Sequence, residues 1–211
     1  GSNPGEMGPE RMSRVNVALR ANILLFTGST GSGKSVAMKR MVQTTRRVVV
    51  WDTEDEYREW GYDRVTRLSD LIDALRGQAE ARVAYVAPGR RFGDWARCAL
   101  AWGRCSAVAE ELASVTTPGK APDGWGDLVR RGRKHGVRVY AATQRPAESD
   151  KTVIANATMI RTGALWRARD AAYMADEMDI PLADIRALLP LDWIAVARSP
   201  RKVTRGRLKF P

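Results

Sequence analysis

An α/β fold with a mainly parallel central sheet flanked by helices is predicted by three features of this sequence. Short apolar or β-branched runs alternate with amphipathic helical stretches along most of the 211 residues. The first run, Ile23-Leu-Leu-Phe26, leads directly into Gly28-Ser-Thr-Gly-Ser-Gly-Lys-Ser35. Val36-Ala-Met-Lys-Arg-Met-Val42 then repeats apolar residues at helical spacing.

A G-x-x-x-x-G-K-[ST] stretch between a strand and a helix is a P-loop. Gly28, Gly31 and Gly33 permit backbone angles that let successive N–H groups turn toward phosphate oxygens. The nucleotide-binding set is therefore Gly28, Ser29, Thr30, Gly31, Ser32, Gly33, Lys34 and Ser35. Lys34 is expected to reach the β/γ-phosphates and the Ser35 hydroxyl to ligate Mg²⁺, so ATP and Mg²⁺ are the expected cofactors. The following helix adds its positive N-terminal end.

Arg47-Val-Val-Val-Trp-Asp52 reads as a buried strand that opens into the acidic stretch Asp52-Thr-Glu-Asp-Glu-Tyr57. At the carboxyl end of a parallel strand such groups face the ligand crevice, although a solvated turn has the same composition. Leu68 to Leu75 reads as a short helix and Val83-Ala-Tyr-Val86 as a third strand. Phe92 to Trp102 is an amphipathic helix. Cys105-Ser-Ala-Val-Ala-Glu-Glu-Leu112 is an apolar run ending in adjacent carboxylates. Beside a phosphate loop that pairing has chemical sense. Glu110 is expected to hold Mg²⁺ through water, and Glu111 to act as the catalytic base.

Thr116 to Gly126 carries Pro and Gly throughout and is expected to be a loop, with Lys120 and Trp125 as candidate DNA contacts. Asp127 to His135 reads as a basic helix that includes Arg133 and Arg130, the latter a further candidate DNA contact. Val137 to Ala142 is a strand delivering Thr143-Gln-Arg-Pro146, with Gln144 placed to sense a γ-phosphate. Thr158 to Gly163 reads as a strand, Ala168 to Met178 as a helix, and Trp193–Ala197 and Val203–Phe210 as closing strands. From Trp193 onward there is no acidic residue. Arg205, Arg207 and Lys209 fall on one strand face, either a phosphate-backbone contact or a charged edge.

The net charge of +11 and pI near 10.2 favour a polyanionic partner, nucleic acid before membrane. Two cysteines and one histidine exclude a disulfide framework and a His-based metal site. No run approaches the roughly 18 apolar residues of a membrane span, so stable membrane insertion is not expected. Residues 1–20 read as a flexible lead-in carrying a cloning remnant, and 21–211 as one domain.

Arg131-Gly-Arg-Lys-His-Gly-Val-Arg-Val-Tyr-Ala-Ala-Thr-Gln-Arg-Pro146 resembles the segment of FtsK–HerA superfamily DNA-pumping ATPases in which a basic helix leads into a strand ending T-Q-R-P. The stretch Asp52–Tyr57 is similar to that superfamily's acidic segment after the second core strand. The resemblance covers Ile23 to about Met159 and implies a RecA-like P-loop NTPase. On it, Lys34, Ser35, Glu110, Glu111 and Gln144 take the roles of phosphate lysine, Mg²⁺ hydroxyl, metal-side acid, base and sensor. Arg133 falls on the arginine that reaches a neighbouring subunit's nucleotide. The superfamily's usual acidic pair is D-E, whereas this chain has Glu110-Glu111.

A stand-alone motor of this size looks most like the genome-packaging ATPases of tailless, membrane-containing icosahedral viruses. The resemblance then implies an ATP-hydrolysing double-stranded DNA translocase filling a preformed capsid. It implies a homo-oligomeric ring, hexamer or pentamer, capsid or portal-vertex partners, and a place in the host cytoplasm or at the virion packaging vertex. The alternatives are another motor of the superfamily serving conjugation or chromosome segregation, a small-molecule P-loop kinase, or a phage assembly NTPase.

Overall fold

The computed structural model describes residues 22–209. The expected lead-in over residues 1–20, and Phe210 of the last expected strand, lie outside the described residues.

Strand β1 (Ile23–Thr27) is buried along its whole length and passes through the glycine-rich loop into helix α1 (Lys34–Val42). Next come β2 (Arg47–Trp51), the short β3 (Asp63–Val65), α2 (Leu68–Leu75), β4 (Ala81–Tyr85) and α3 (Phe92–Trp102). The middle of the chain forms β5 (Ser106–Ala109), α4 (Trp125–Arg131), β6 (Arg138–Thr143), α5 (Lys151–Asn156) and β7 (Met159–Gly163). Helices α6 (Ala168–Met178) and α7 (Leu182–Arg186) precede the hairpin β8 (Asp192–Arg198) and β9 (Arg201–Arg207).

The strands form one sheet in the order β3-β4-β2-β5-β6-β1-β7-β8-β9. β1 to β7 pair in parallel, and β8 and β9 close one edge antiparallel. This is the mainly parallel α/β architecture expected from the sequence. The carboxyl ends of β2, β5, β6 and β1 share one sheet edge, which is where ligands bind in such sheets.

The central strands β1, β2, β5 and β6 are buried along nearly their whole length because both faces of the sheet are covered there. Ile23 and Leu25 face the core filled by α2 to α7, through Leu71, Trp95, Leu128, Val153, Met174 and Ile185. Leu24 and Phe26 face α1, through Ala37, Met38 and Val42. The first core is the larger. Its centre is an aromatic cluster in which Trp51 meets Tyr85 and Phe92 edge-on, while Trp95 stacks on Phe92 and Trp125.

Trp125 corrects one expectation. It opens α4 rather than sitting in a connector, it is fully buried, and its indole N–H donates to Asp150 at 2.9 Å. A side chain so enclosed cannot contact DNA. The helix also starts two residues earlier than Asp127 and tightens to a 3₁₀ turn over Gly132–His135. Two elements escape the sequence reading. β3 makes the strand expected at Val83–Val86, which runs Ala81–Tyr85, the fourth in chain order rather than the third, and α5 follows the T-Q-R-P turn. Lys209 lies past the end of β9, so it does not continue the Arg205 and Arg207 strand face.

Candidate active site

A cavity of about 390 Å³ opens at the carboxyl ends of β1, β2, β5 and β6. The P-loop forms one wall through Thr30, Gly31, Gly33, Lys34 and Ser35. Asp52, Glu54, Glu56, Glu110, Glu111 and Gln144 form the rest of its polar lining. The expected phosphate, acid and sensor residues therefore converge on one site, joined by the acidic stretch after β2.

The loop's glycines are sterically required where the backbone is most crowded. Gly33 takes φ 80°, and a Cβ there would collide with the Leu208 side chain. Gly28 takes φ 147°, and a Cβ would collide with Ser32. Ser29 faces away from the cavity: its N–H donates to Ala164 O at 2.8 Å, and its hydroxyl accepts from Trp166 N at 3.0 Å. Thr30 bridges the other way, its hydroxyl donating to Gln144 Oε1 at 2.7 Å. Burial lowers the Lys34 pKa, against the pull of Glu111, Glu110 and Glu56. Those carboxylates compensate a cation that is otherwise partly stripped of water.

Glu110 is only 7% exposed, and both its oxygens are held. The Tyr57 hydroxyl donates to Oε1 at 2.8 Å, and Ser35 Oγ donates to Oε2 at 3.2 Å. Burial pushes its pKa up, opposed by Tyr57, Lys39, Ser35 and Lys34. Tyr57 is itself locked. Asp52 accepts from the N–H groups of Glu56 and Tyr57, and Lys39 pairs with Glu56 while lying over the Tyr57 ring. The acidic stretch is thus a brace for Glu110. Sequence reading saw these charges but missed Tyr57 and Lys39, because only tertiary folding brings them together. The one signal was that Tyr57 closes the stretch.

Glu111 sits at φ 44°, a left-handed angle that is costly without glycine. That turn directs its carboxylate to Gln144, whose backbone N–H donates to Oε1 at 3.2 Å. Thr143 Oγ1 lies 3.5 Å from the same oxygen. Glu111, Gln144 and Thr30 consequently form a chain of contacts from the acid pair back to the P-loop.

The donor set suits Mg²⁺. The Ser35 hydroxyl and the Glu110 carboxylate are adjacent hard oxygens beside a phosphate loop. Among the described residues no group of three or more acidic, His or Cys side chains forms a protein-only metal cage. An ion completing its shell with phosphate oxygens and water fits that arrangement.

The remaining candidates lie elsewhere. Arg133 is exposed on the turn before β6, at the sheet edge opposite the P-loop. Lys120 and Arg130 are exposed, each 3.6 Å from the aspartate three residues away. Arg205 pairs with Asp184 and Arg207 with Asp192, so the β9 stripe is partly neutralised. Lys209 is exposed, and its carbonyl accepts from Arg40.

No protein-family model matches the chain. Its fold is shared with the genome-packaging NTPase B204 of Sulfolobus turreted icosahedral virus 2, solved with AMPPCP. The TM-score is 0.76 at 15% identity, over 90% of this chain and 98% of that one. The bacterial conjugative coupling protein TrwB, in its ΔN70 form, superposes with a TM-score of 0.58 at 13% identity, over 97% and 90%. In sequence, protein P9 of Pseudoalteromonas phage PM2 is 34% identical over 170 residues, 78% of each chain. The chain therefore belongs to the family of phage PM2 protein P9, and it is built on the P-loop NTPase fold.

Proposed function

We propose that this protein is an ATP-hydrolysing motor that moves double-stranded DNA into a preformed viral capsid, acting as a homo-oligomeric ring at the packaging vertex. The observation that carries the reading is the cavity in which P-loop, acid pair and Gln144 sensor are mutually hydrogen-bonded. The +11 charge supports a polyanionic cargo, and the fold shared with B204 and TrwB supports a DNA-handling motor. A place in the host cytoplasm or virion, and capsid or portal-vertex partners, follow from the same reading. Among the described residues no helix is long and apolar enough to cross a membrane.

In this reading the P-loop N–H groups and Lys34 hold the triphosphate. Ser35 and Glu110 would hold Mg²⁺, Glu110 through water, and the ion would supply neutralisation of the phosphate charge. Glu111 takes the proton of the attacking water, and Gln144 transmits the state of the γ-phosphate site between Glu111 and Thr30. Catalysis is then positioning plus electrostatic stabilisation.

ATPase rate with and without duplex DNA, across a range of protein concentration, tests the whole. Stimulation by DNA of any sequence, with specific activity rising on assembly, is expected. Lys34→Ala should abolish it. Turnover undiminished in folded Lys34→Ala protein, or indifference to both DNA and concentration, would refute the motor.

Tyr57 offers a finer check on the metal-side acid. A hydrogen bond to a charged group contributes about 1.5–3 kcal/mol. Tyr57→Phe should therefore raise the Mg²⁺ concentration for half-maximal ATPase by about tenfold or more, while kcat at saturating Mg²⁺ changes little. An unchanged Mg²⁺ titration would mean that Glu110 needs no orienting partner.

A further inference from the structure

The most exposed large apolar side chain among the described residues is Trp166, at 74%. It sits on the loop between β7 and α6, beside the P-loop, and the function outlined above leaves it unused. Arg167 and Arg169 follow it and are exposed. Arg145, also exposed, projects from the adjoining turn after β6. Glu148 ties the two turns together, accepting from Arg167 at 2.6 Å and from Arg145 at 3.3 Å.

This surface is wired to the nucleotide site at two points. Trp166 N–H donates to Ser29 Oγ, and Ser29 N–H donates to Ala164 O, so the P-loop and the Trp166 loop share two hydrogen bonds. Arg145 directly follows Gln144, which contacts both Thr30 and Glu111. The expected contact cations differ in this respect. Among the described residues, Lys120, Arg130, Arg205 and Arg207 pair with aspartates outside the P-loop and the acid pair.

We propose that Trp166 with Arg145 and Arg167 is the duplex nucleic-acid contact whose grip changes with the nucleotide bound at the P-loop. The inference rests on the DNA-motor reading above. Arginine guanidinium groups suit phosphate oxygens. An exposed indole packs against sugar or base surface at little entropic cost. In a chain of charge +11 a polyanion is the complementary occupant of an aromatic–arginine surface. Glu148 holds both arginines in register and offsets part of their charge, which keeps the contact weak enough to release.

The test measures binding of a labelled random-sequence duplex across a salt series, with and without a non-hydrolysable ATP analogue. Wild type should show a nucleotide-dependent affinity, with a coupling of about 5–150-fold. Trp166→Ala keeps the backbone N–H, so its DNA-free ATPase should match wild type while duplex affinity falls and the nucleotide dependence collapses. Arg145→Gln combined with Arg167→Gln removes two phosphate contacts. The slope of log affinity against log salt should drop by about 1.8. Glu148→Gln should move the opposite way and tighten binding.

Equal affinity and equal slope in all variants, with wild type binding duplex, would overturn this surface while leaving the motor reading intact. Absence of duplex binding by wild type in every nucleotide state would sink the motor reading itself. Loss of concentration-dependent assembly in Trp166→Ala, with DNA binding unchanged, would reassign the patch to a contact between copies of this chain.

Discussion

Glu111→Gln protein should bind ATP and Mg²⁺ with wild-type affinity and lose about two to four orders of magnitude in turnover, the contribution typical of a positioned general base. The substitution keeps the shape of the side chain and its contact with Gln144 N–H, because the amide oxygen can still accept. It removes only the ability to take a proton. Binding of a fluorescent ATP analogue together with single-turnover hydrolysis separates the two effects. Glu110→Gln should behave differently. Its oxygens accept from Tyr57 and Ser35 beside the expected metal position, so Mg²⁺ dependence should suffer first. The left-handed backbone at Glu111 sharpens the distinction, since strain at a non-glycine residue persists where the surrounding structure fixes it for a purpose. Normal turnover in the Glu111→Gln protein would move the base to the Asp52–Glu56 stretch.

What was legible in the sequence is what local chemistry determines. The P-loop can be read because strand, glycine loop and helix are contiguous, and Glu110, Glu111 and Gln144 because each follows an apolar strand whose carboxyl end must face the crevice. The departure from the usual D-E pair has a physical reading that the chain order hides. Tyr57 and Lys39 lie 53 and 71 positions before Glu110, respectively, yet Tyr57 holds that carboxylate directly and Lys39 steadies Tyr57. No periodicity or spacing links them.

Trp125 was misread for a related reason. The Pro and Gly residues around it mark a true connector up to Gly124, but the aromatic belongs to the first turn of α4 and completes a cluster built from α3 and β2. β3 was invisible because its three residues, Asp63-Arg-Val65, carry no apolar alternation and are placed by pairing with β4 alone. The β9 arginines looked like a free stripe because their aspartates, Asp184 and Asp192, come from α7 and the start of β8. Exposed pairs of this kind are worth little in stability, yet they decide how much charge a strand offers a phosphate backbone.

The largest effect is expected at Arg133. β6 has six residues at about 3.3 Å each, so some 20 Å of strand separates its amino end, where Arg133 lies, from Gln144 at the other. An arginine so placed is out of reach of its own P-loop, and any catalytic role must be played in a neighbouring copy. An arginine supplied across an interface contributes about three to five orders of magnitude in turnover. Arg133→Ala should therefore bind ATP normally, since Lys34 and Ser35 are intact, and hardly hydrolyse it. Wild type should lose specific activity on dilution as interfaces dissociate. Mixing Arg133→Ala with Glu111→Gln should restore part of the activity, because some interfaces then join an intact base to an intact arginine. A kinase-like monomer predicts neither dilution dependence nor complementation. Wild-type turnover in Arg133→Ala would make this residue one more solvated charge on a basic turn and would remove the main support for the proposed ring.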